Sequence, residues 1–191
     1  MKLIFATNNA HKLSEVQQLL DESFSLVTLR DVGVVEDIPE TEPTLEGNAL
    51  LKARYIYERT GESCFADDTG LEVEALGGEP GVRSARYATD GHDPKANNAL
   101  LIKNLEGQES RKAQFRTVVA LVLDGEEYLF EGVVKGHITT EPLGDGGFGY
   151  DPFFVADGHT KSFAEMTTAQ KGEISHRGRA VSQLVAFLNK R

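Results

Sequence analysis

The chain has 191 residues, 40% of them hydrophobic, which suits a single domain with a buried core spanning 1–191. Its formal net charge of -10 opposes binding to nucleic acid, although a few cations and a metal ion can still build a local pocket for a small anion. The longest apolar run, Val118 to Leu123, is too short to span a membrane, and the lone Cys64 excludes an internal disulfide and points to a reducing compartment, the cytoplasm.

In chain order, Lys2 to Thr7 reads as a buried strand, Thr7 to Lys12 as a polar loop, and Ser14 to Leu20 as a helix with Val16, Leu19 and Leu20 inward. After an acidic loop from Glu36 to Glu42, Thr44 caps a helix that buries Leu45, Ala49, Ala53 and Tyr57 and stops at Gly61. Asn48 and Lys52 share its polar face. A strand from Ser63 to Ala66 then meets the tetrapeptide Asp67-Asp68-Thr69-Gly70, read as a turn before a second strand holding Leu71, Val73 and Ala75. Asp93-Pro94 starts a helix that runs through Leu101 to a stop near Gly107. Ala113 to Leu123 and Tyr128 to Val134 flank Asp124-Gly125 as a hairpin, and a last helix begins near Ser175 with Val181, Leu184, Val185 and Leu188 inward. Helices alternating with strands early, and a long hairpin late, predict an α/β fold with a mixed sheet covered by helices.

Two helix starts carry cations at the end where the macrodipole is already positive: Lys12 in the first case, His176 and Arg177 in the second. A bound anion would reverse that cost, with Thr7, Asn8 and Asn9 adding donors for phosphate oxygens; solvated basic turns are the plain alternative. Asp67 and Asp68 are adjacent, so on an extended backbone they point to opposite faces and take different roles, one on a metal and its water, the other in support. From DDTG alone, a turn in which Asp caps backbone amides and Gly70 supplies an unusual dihedral is the first reading. The glycine-rich stretch Gly144 to Asp151 lets backbone approach a ligand while Phe148 offers a stacking face. The tight loop Leu76 to Gly81 is followed by Arg83 and Arg86, which are structural or frame an anionic site.

Five segments in register, TNNAHK at 7–12, TLEGNALLKAR, FADDTGLEVEALGGEPGVRSARYA, GGFGYDPFF and SFAEMTTAQKGEISHRGRA, resemble the inosine triphosphate pyrophosphatase family, which hydrolyses noncanonical purine nucleoside triphosphates to the monophosphate and pyrophosphate. The resemblance implies an elongated mixed sheet with two lobes around a nucleotide cleft, and a homodimer. It implies that Thr7, Asn8, Asn9, Ala10, His11 and Lys12 hold the triphosphate, that Lys52 reaches a phosphate, and that Glu40 and Asp68 bind Mg²⁺. Asp68 is the implied proton acceptor for the attacking water, with Asp67 close by and Thr69 touching substrate. Phe148, Gly149, Tyr150, Asp151, Lys171, His176 and Arg177 complete the implied nucleotide pocket. Glu36, Asp37 and Glu42 are near enough to Glu40 for a shift in alignment to move the metal ligand. The rivals are a non-catalytic nucleotide sensor and a pyrophosphatase for modified pyrimidines or standard nucleotides.

Overall fold

The computed structural model describes residues 1–191 and contains one seven-stranded mixed sheet. Its strands are β1 (Lys2–Phe5), β2 (Ser25–Val27), β3 (Cys64–Val73), β4 (Pro80–Gly81), β5 (Lys112–Leu123), β6 (Glu126–Ile138) and β7 (Phe154–Ala156), in spatial order β2-β1-β3-β5-β6-β7 with β4 on β3. β1 pairs parallel with β2 and β3, and every other pair is antiparallel. The helices are α1 (Ala10–Leu19), α2 (Leu45–Thr60), α3 (Pro94–Leu105), α4 (Thr168–Ile174) and α5 (His176–Leu188).

The apolar run Val118 to Leu123 is continuous because β5 is covered on both faces. Val118, Ala120 and Val122 join a cluster with Ala49, Ala53 and Ile56 of α2, while Val119, Leu121 and Leu123 join one with Val181, Leu184 and Leu188 of α5. Further along the same strands, Leu71, Val73, Phe115 and Val134 form a third cluster with Leu101 and Leu105 of α3 and with Phe154 and Phe163. Two lobes therefore share the long strands β3, β5 and β6, and a cleft opens between them at the middle of β3.

Four expectations change. The chain does not turn at Asp67-Asp68-Thr69-Gly70: β3 is continuous, with Asp67 opposite Val119, Asp68 opposite Val118 and Gly70 opposite Arg116. Pairing along β5 overrides the local turn preference of that tetrapeptide. Gly70 serves a close approach instead, because a Cβ there would lie 2.6 Å from the Gly81 carbonyl oxygen. α1 starts at Ala10, earlier than its apolar spacing suggests, because Asn9 caps it. β2 and α4 are absent from the pattern-based reading, and the polar face assigned to Asn48 and Lys52 is buried, at 1% and 7% exposure. The Asp124-Gly125 hairpin, the Thr44 and Ser175 caps and the left-handed stop at Gly61 stand as read.

Candidate active site

The first loop is built by its own side chains. Asn9 Oδ1 accepts from the amides of His11 (2.9 Å) and Lys12 (3.1 Å), Thr7 Oγ1 accepts from the Asn9 amide, and Asn8 Nδ2 donates to Asp37. Of the asparagines expected as donors to phosphate, Asn8 thus uses its side-chain donor to tether the acidic loop, whereas Asn9 caps α1 through its oxygen alone. Lys12 is left to project from the first turn of α1, and its ammonium donates to Asp67 Oδ1 at 3.0 Å.

β3 divides the two aspartates between its faces, as period-two geometry requires. Asp67 lies on the face toward α1 and α5, where Arg177 Nε also donates to it at 2.9 Å. Burial works against ionising Asp67, but Lys12 and Arg177 together hold its carboxyl well below the usual range. Asp68 lies on the face toward α2. The Lys52 ammonium there is 3.0 Å from Glu40 Oε1 and 3.7 Å from Asp68 Oδ1, and it donates to the Asp67 carbonyl at 2.7 Å. Asp68 Oδ2 is buried with no hydrogen-bond partner, and burial raises this carboxyl to about 6 against the pull of Lys52 and Lys12. Next along the strand, Thr69 accepts from Arg177 Nη2 at 3.0 Å and shares a 2.7 Å hydrogen bond with the buried Thr117.

The far wall comes from the glycine-rich loop and from α4 and α5. Asp151 Oδ2 accepts from the Phe148 amide (3.1 Å) and from Lys171 Nζ (2.7 Å), and a Cβ on Gly147 would lie 2.4 Å from that oxygen. Lys171 also pairs with Glu15, which in turn pairs with Arg177. Ser175 ends α4 and caps α5, its Oγ accepting from the Gly178 amide. The tight junction needs glycine, since a Cβ on Gly178 would sit 1.9 Å from the Gly172 carbonyl oxygen. Lys171 and Arg177 are thereby fixed on consecutive helices facing one cleft. Phe148 does not present an open face: His11 stacks on it at 5.0 Å with rings 11° apart, and the Lys171 ammonium is 4.7 Å from its centroid. His176 is 3% exposed and stacks on Phe115 at 4.6 Å. Burial and the neighbouring Arg177 and Lys171 keep it neutral, well below the ordinary histidine range. Tyr150 is a buried strut whose hydroxyl donates to the Ser84 carbonyl at 2.6 Å.

The cleft, about 510 Å³, brings together Thr7, Asn8, Asn9, His11, Lys12, Glu40, Lys52, Asp68, Thr69, Phe148, Gly149, Tyr150, Asp151, Lys171, His176 and Arg177. Ala10, exposed at the start of α1, does not line it. Of the neighbouring acids, Glu36 pairs with Arg59 outside the cleft, Glu42 is held through its backbone by Asn48, and Glu40 alone shares Lys52 with Asp68. Glu15 and Thr117 escaped the sequence reading. Glu15 meets Lys171 across 156 positions, and Thr117 is one of several polar residues in the first half of β5, so neither carries a local signal. The cations at both helix starts are compensated by Asp67 and Glu15, so their cost at the positive end of a dipole is offset within the protein itself.

A mixed sheet whose central strand carries one carboxylate into an interlobe cleft and a second behind it, between a capped cationic loop and a pair of cationic helix ends, defines a class of α/β protein built to hold a polyanionic ligand. The chain belongs to the Ham1 family, whose profile matches residues 3–187, in keeping with the resemblance carried by the five motifs. It is 54% identical over 188 residues to a dITP/XTP pyrophosphatase of Porphyromonas gingivalis, covering 98% of this chain and 97% of that one. A dITP/XTP pyrophosphatase of Flavobacterium johnsoniae is 50% identical, with 98% of each chain covered. The solved structure of a HAM1 protein from Coxiella burnetii superposes with a TM-score of 0.91 at 36% identity over the full length of both chains.

Proposed function

We propose that the chain, as one catalytic domain over 1–191, hydrolyses the noncanonical purine nucleoside triphosphates ITP, dITP and XTP to the monophosphate and pyrophosphate. The observation that carries this reading is the division of labour across β3. Asp68, with an unpartnered buried oxygen, faces the cleft beside Glu40, while Asp67 stays behind the strand, neutralised by Lys12 and Arg177. The names of the relatives at 50% and 54% identity support the substrate class.

A divalent cation fits this end of the cleft. Asp68 Oδ2 is buried there without a hydrogen-bond partner, and Glu40 shares the Lys52 ammonium with the same carboxylate, so two acidic side chains stand together at one end of the cleft. A pair of carboxylates is the protein contribution that Mg²⁺ commonly takes, substrate phosphates and waters supplying the rest of its oxygen ligands. Glu40 and Asp68 would hold it, and when bound it supplies charge neutralisation at the phosphates and a polarised water.

The reaction forms a bond from a water oxygen to the α-phosphorus and breaks the bond to the bridging oxygen, with pyrophosphate leaving on that oxygen. Asp68 orients the water and accepts its proton, and the Lys12 and Lys52 ammonium groups stabilise the charge that develops on the phosphates. Thr69 and the first loop position the triphosphate; Phe148, Gly149, Tyr150, Asp151, Lys171, His176 and Arg177 surround the base. A purine with oxygen at C6 accepts from His176, Arg177 or the loop amides, whereas adenine's amino group leaves those donors unpaired. The enzyme works in the cytoplasm and as a homodimer in this reading.

Asp68→Asn tests it against the nucleotide-sensor alternative. The variant is expected to lose at least about a hundredfold in pyrophosphate release from ITP, as removal of a general base does, while its affinity for ITP stays within a few fold. Undiminished release would reject Asp68 as base and ligand.

A further inference from the structure

Five lysine and arginine side chains line the cleft, and four of them are held by carboxylates: Lys12 by Asp67, Lys52 by Glu40 and Asp68, Lys171 by Asp151 and Glu15, Arg177 by Asp67 and Glu15. Arg86 is the exception. Its half-buried guanidinium makes no ion pair and donates no side-chain hydrogen bond, although it lines the cleft near enough to Glu40 to help hold that carboxyl in its ionised form.

The backbone beneath Arg86 is tied down on every side. Arg86 ends the short turn Ser84–Arg86 after β4. Ser84, 7% exposed, donates from Oγ to the Gly81 carbonyl at 2.6 Å and accepts from the Leu71 amide at 2.9 Å, which anchors the turn to β3. The Ser84 carbonyl accepts from Tyr150, and the buried Asn97 of α3 donates to the Ala85 carbonyl at 3.0 Å. The Asn97 side-chain oxygen also accepts from the Ala88 amide, so one residue clamps both sides of the turn. Asn98 of the same helix donates to the Gly149 carbonyl. The Arg86 turn and the loop bearing Phe148 are therefore one hydrogen-bonded body, on the lobe opposite Lys12 and Lys52. Such investment in a turn that presents one uncompensated guanidinium to a cleft is how a fold preorganises an anion contact.

We infer that Arg86 binds the β- and γ-phosphates of the substrate, the part that departs as pyrophosphate, from the lobe opposite Lys12 and Lys52. This rests on the triphosphate reading of the cleft. A guanidinium offers paired N–H donors matched to phosphate oxygens, and an arginine without an internal partner gives up no existing ion pair on binding. The same contact would make the two lobes close on the triphosphate more firmly than on the monophosphate, which lacks the group Arg86 holds and so is released.

The test compares wild type with Arg86→Gln and Arg86→Lys, measuring KM and kcat for ITP, the inhibition constant of inorganic pyrophosphate, and the dissociation constant of IMP. Arg86→Gln should weaken ITP and pyrophosphate by about ten- to a hundredfold, the size expected for a charge-assisted contact. IMP binding should stay within twofold, which also reports that the site is folded, and Arg86→Lys should recover part of the loss. Equal weakening of ITP and IMP, or no change in either, overturns the assignment. Absence of pyrophosphate release from any triphosphate by the wild type would instead overturn the reading it rests on, and the two failures are distinguishable because the second is seen before any substitution.

Discussion

Adjacent residues of one type diverge here because a strand separates them. Asp67 is a buried carboxylate with two cation partners, so Asp67→Ala should leave Lys12 without its ion-pair partner and Arg177 with Glu15 alone, and lower stability by about 3–5 kcal/mol in urea unfolding. Asp68 is the opposite case, since its Oδ2 has no partner and burial already disfavours its charge. Asp68→Asn should therefore unfold at the wild-type urea midpoint or above it; a loss as large as that of Asp67→Ala would refute this division of roles. His11 gives a third test at this scale. Its stack on Phe148 has to yield if a purine takes that face, and such a pair is worth about 0.5–1.5 kcal/mol. His11→Ala should thus lower KM for ITP by up to about tenfold, while a raised KM would show that the imidazole packs against the base instead. Cys64 is chemically quiet: it is fully buried, donates to the Ala53 carbonyl, and burial pushes its thiol up to about 12.

Among the elements, those that speak through their ends were legible in the sequence. Thr44 and Gly61 bracket α2, Ser175 caps α5, and Asp124-Gly125 turns the hairpin with φ of 52° and 83°, because each signal is a local backbone need met by a local side chain. The passage of β3 through Asp67-Asp68-Thr69-Gly70 was not legible, since it depends on ten consecutive pairings with β5 about fifty residues away. β2, three residues long, and α4, with little apolar pattern, were hidden for want of length. The seat of α5 on β6 is equally invisible locally. A Cβ on Gly132 would lie 2.0 Å from the His176 carbonyl oxygen, so Gly132→Ala must push α5, and with it Arg177, off the sheet. We expect a loss of about 1–3 kcal/mol in urea unfolding together with reduced pyrophosphate release; wild-type stability would mean that the contact is looser than the packing indicates.

At the scale of the whole molecule, the candidate site is where two buried charge networks and two lobes meet, and the neutral His176 gives it one part of its pH response. The unfolded chain takes up a proton at this residue as pH falls below 6.5, whereas the folded protein resists it until pH is well below that value. The contribution of His176 is therefore retained above pH 6.5 and falls as pH is lowered, with a slope of up to about 1.4 kcal/mol per pH unit from this group, while Asp68, raised to about 6 in the fold, acts in the opposite sense below that value. His176→Phe, which keeps the stack on Phe115, should flatten that slope between about pH 6.5 and 5 in urea unfolding; an unchanged slope would show that His176 is charged in the fold. The site's membership was legible at this scale through the order of five motifs along the chain. Its wiring through Glu15 and Thr117, and the free guanidinium of Arg86, required the lobes to be assembled.

The central claim is that this cleft selects a noncanonical 6-oxopurine triphosphate, as in ITP and XTP, and cuts it between the α- and β-phosphates. Its most direct test is pyrophosphate release by the purified protein from ITP, XTP, dUTP, GTP and ATP, with and without Mg²⁺. The account predicts rapid release from ITP and XTP only when Mg²⁺ is present, with ATP slower by at least about a hundredfold in kcat/KM. Turnover of ATP at the rate of ITP would contradict it.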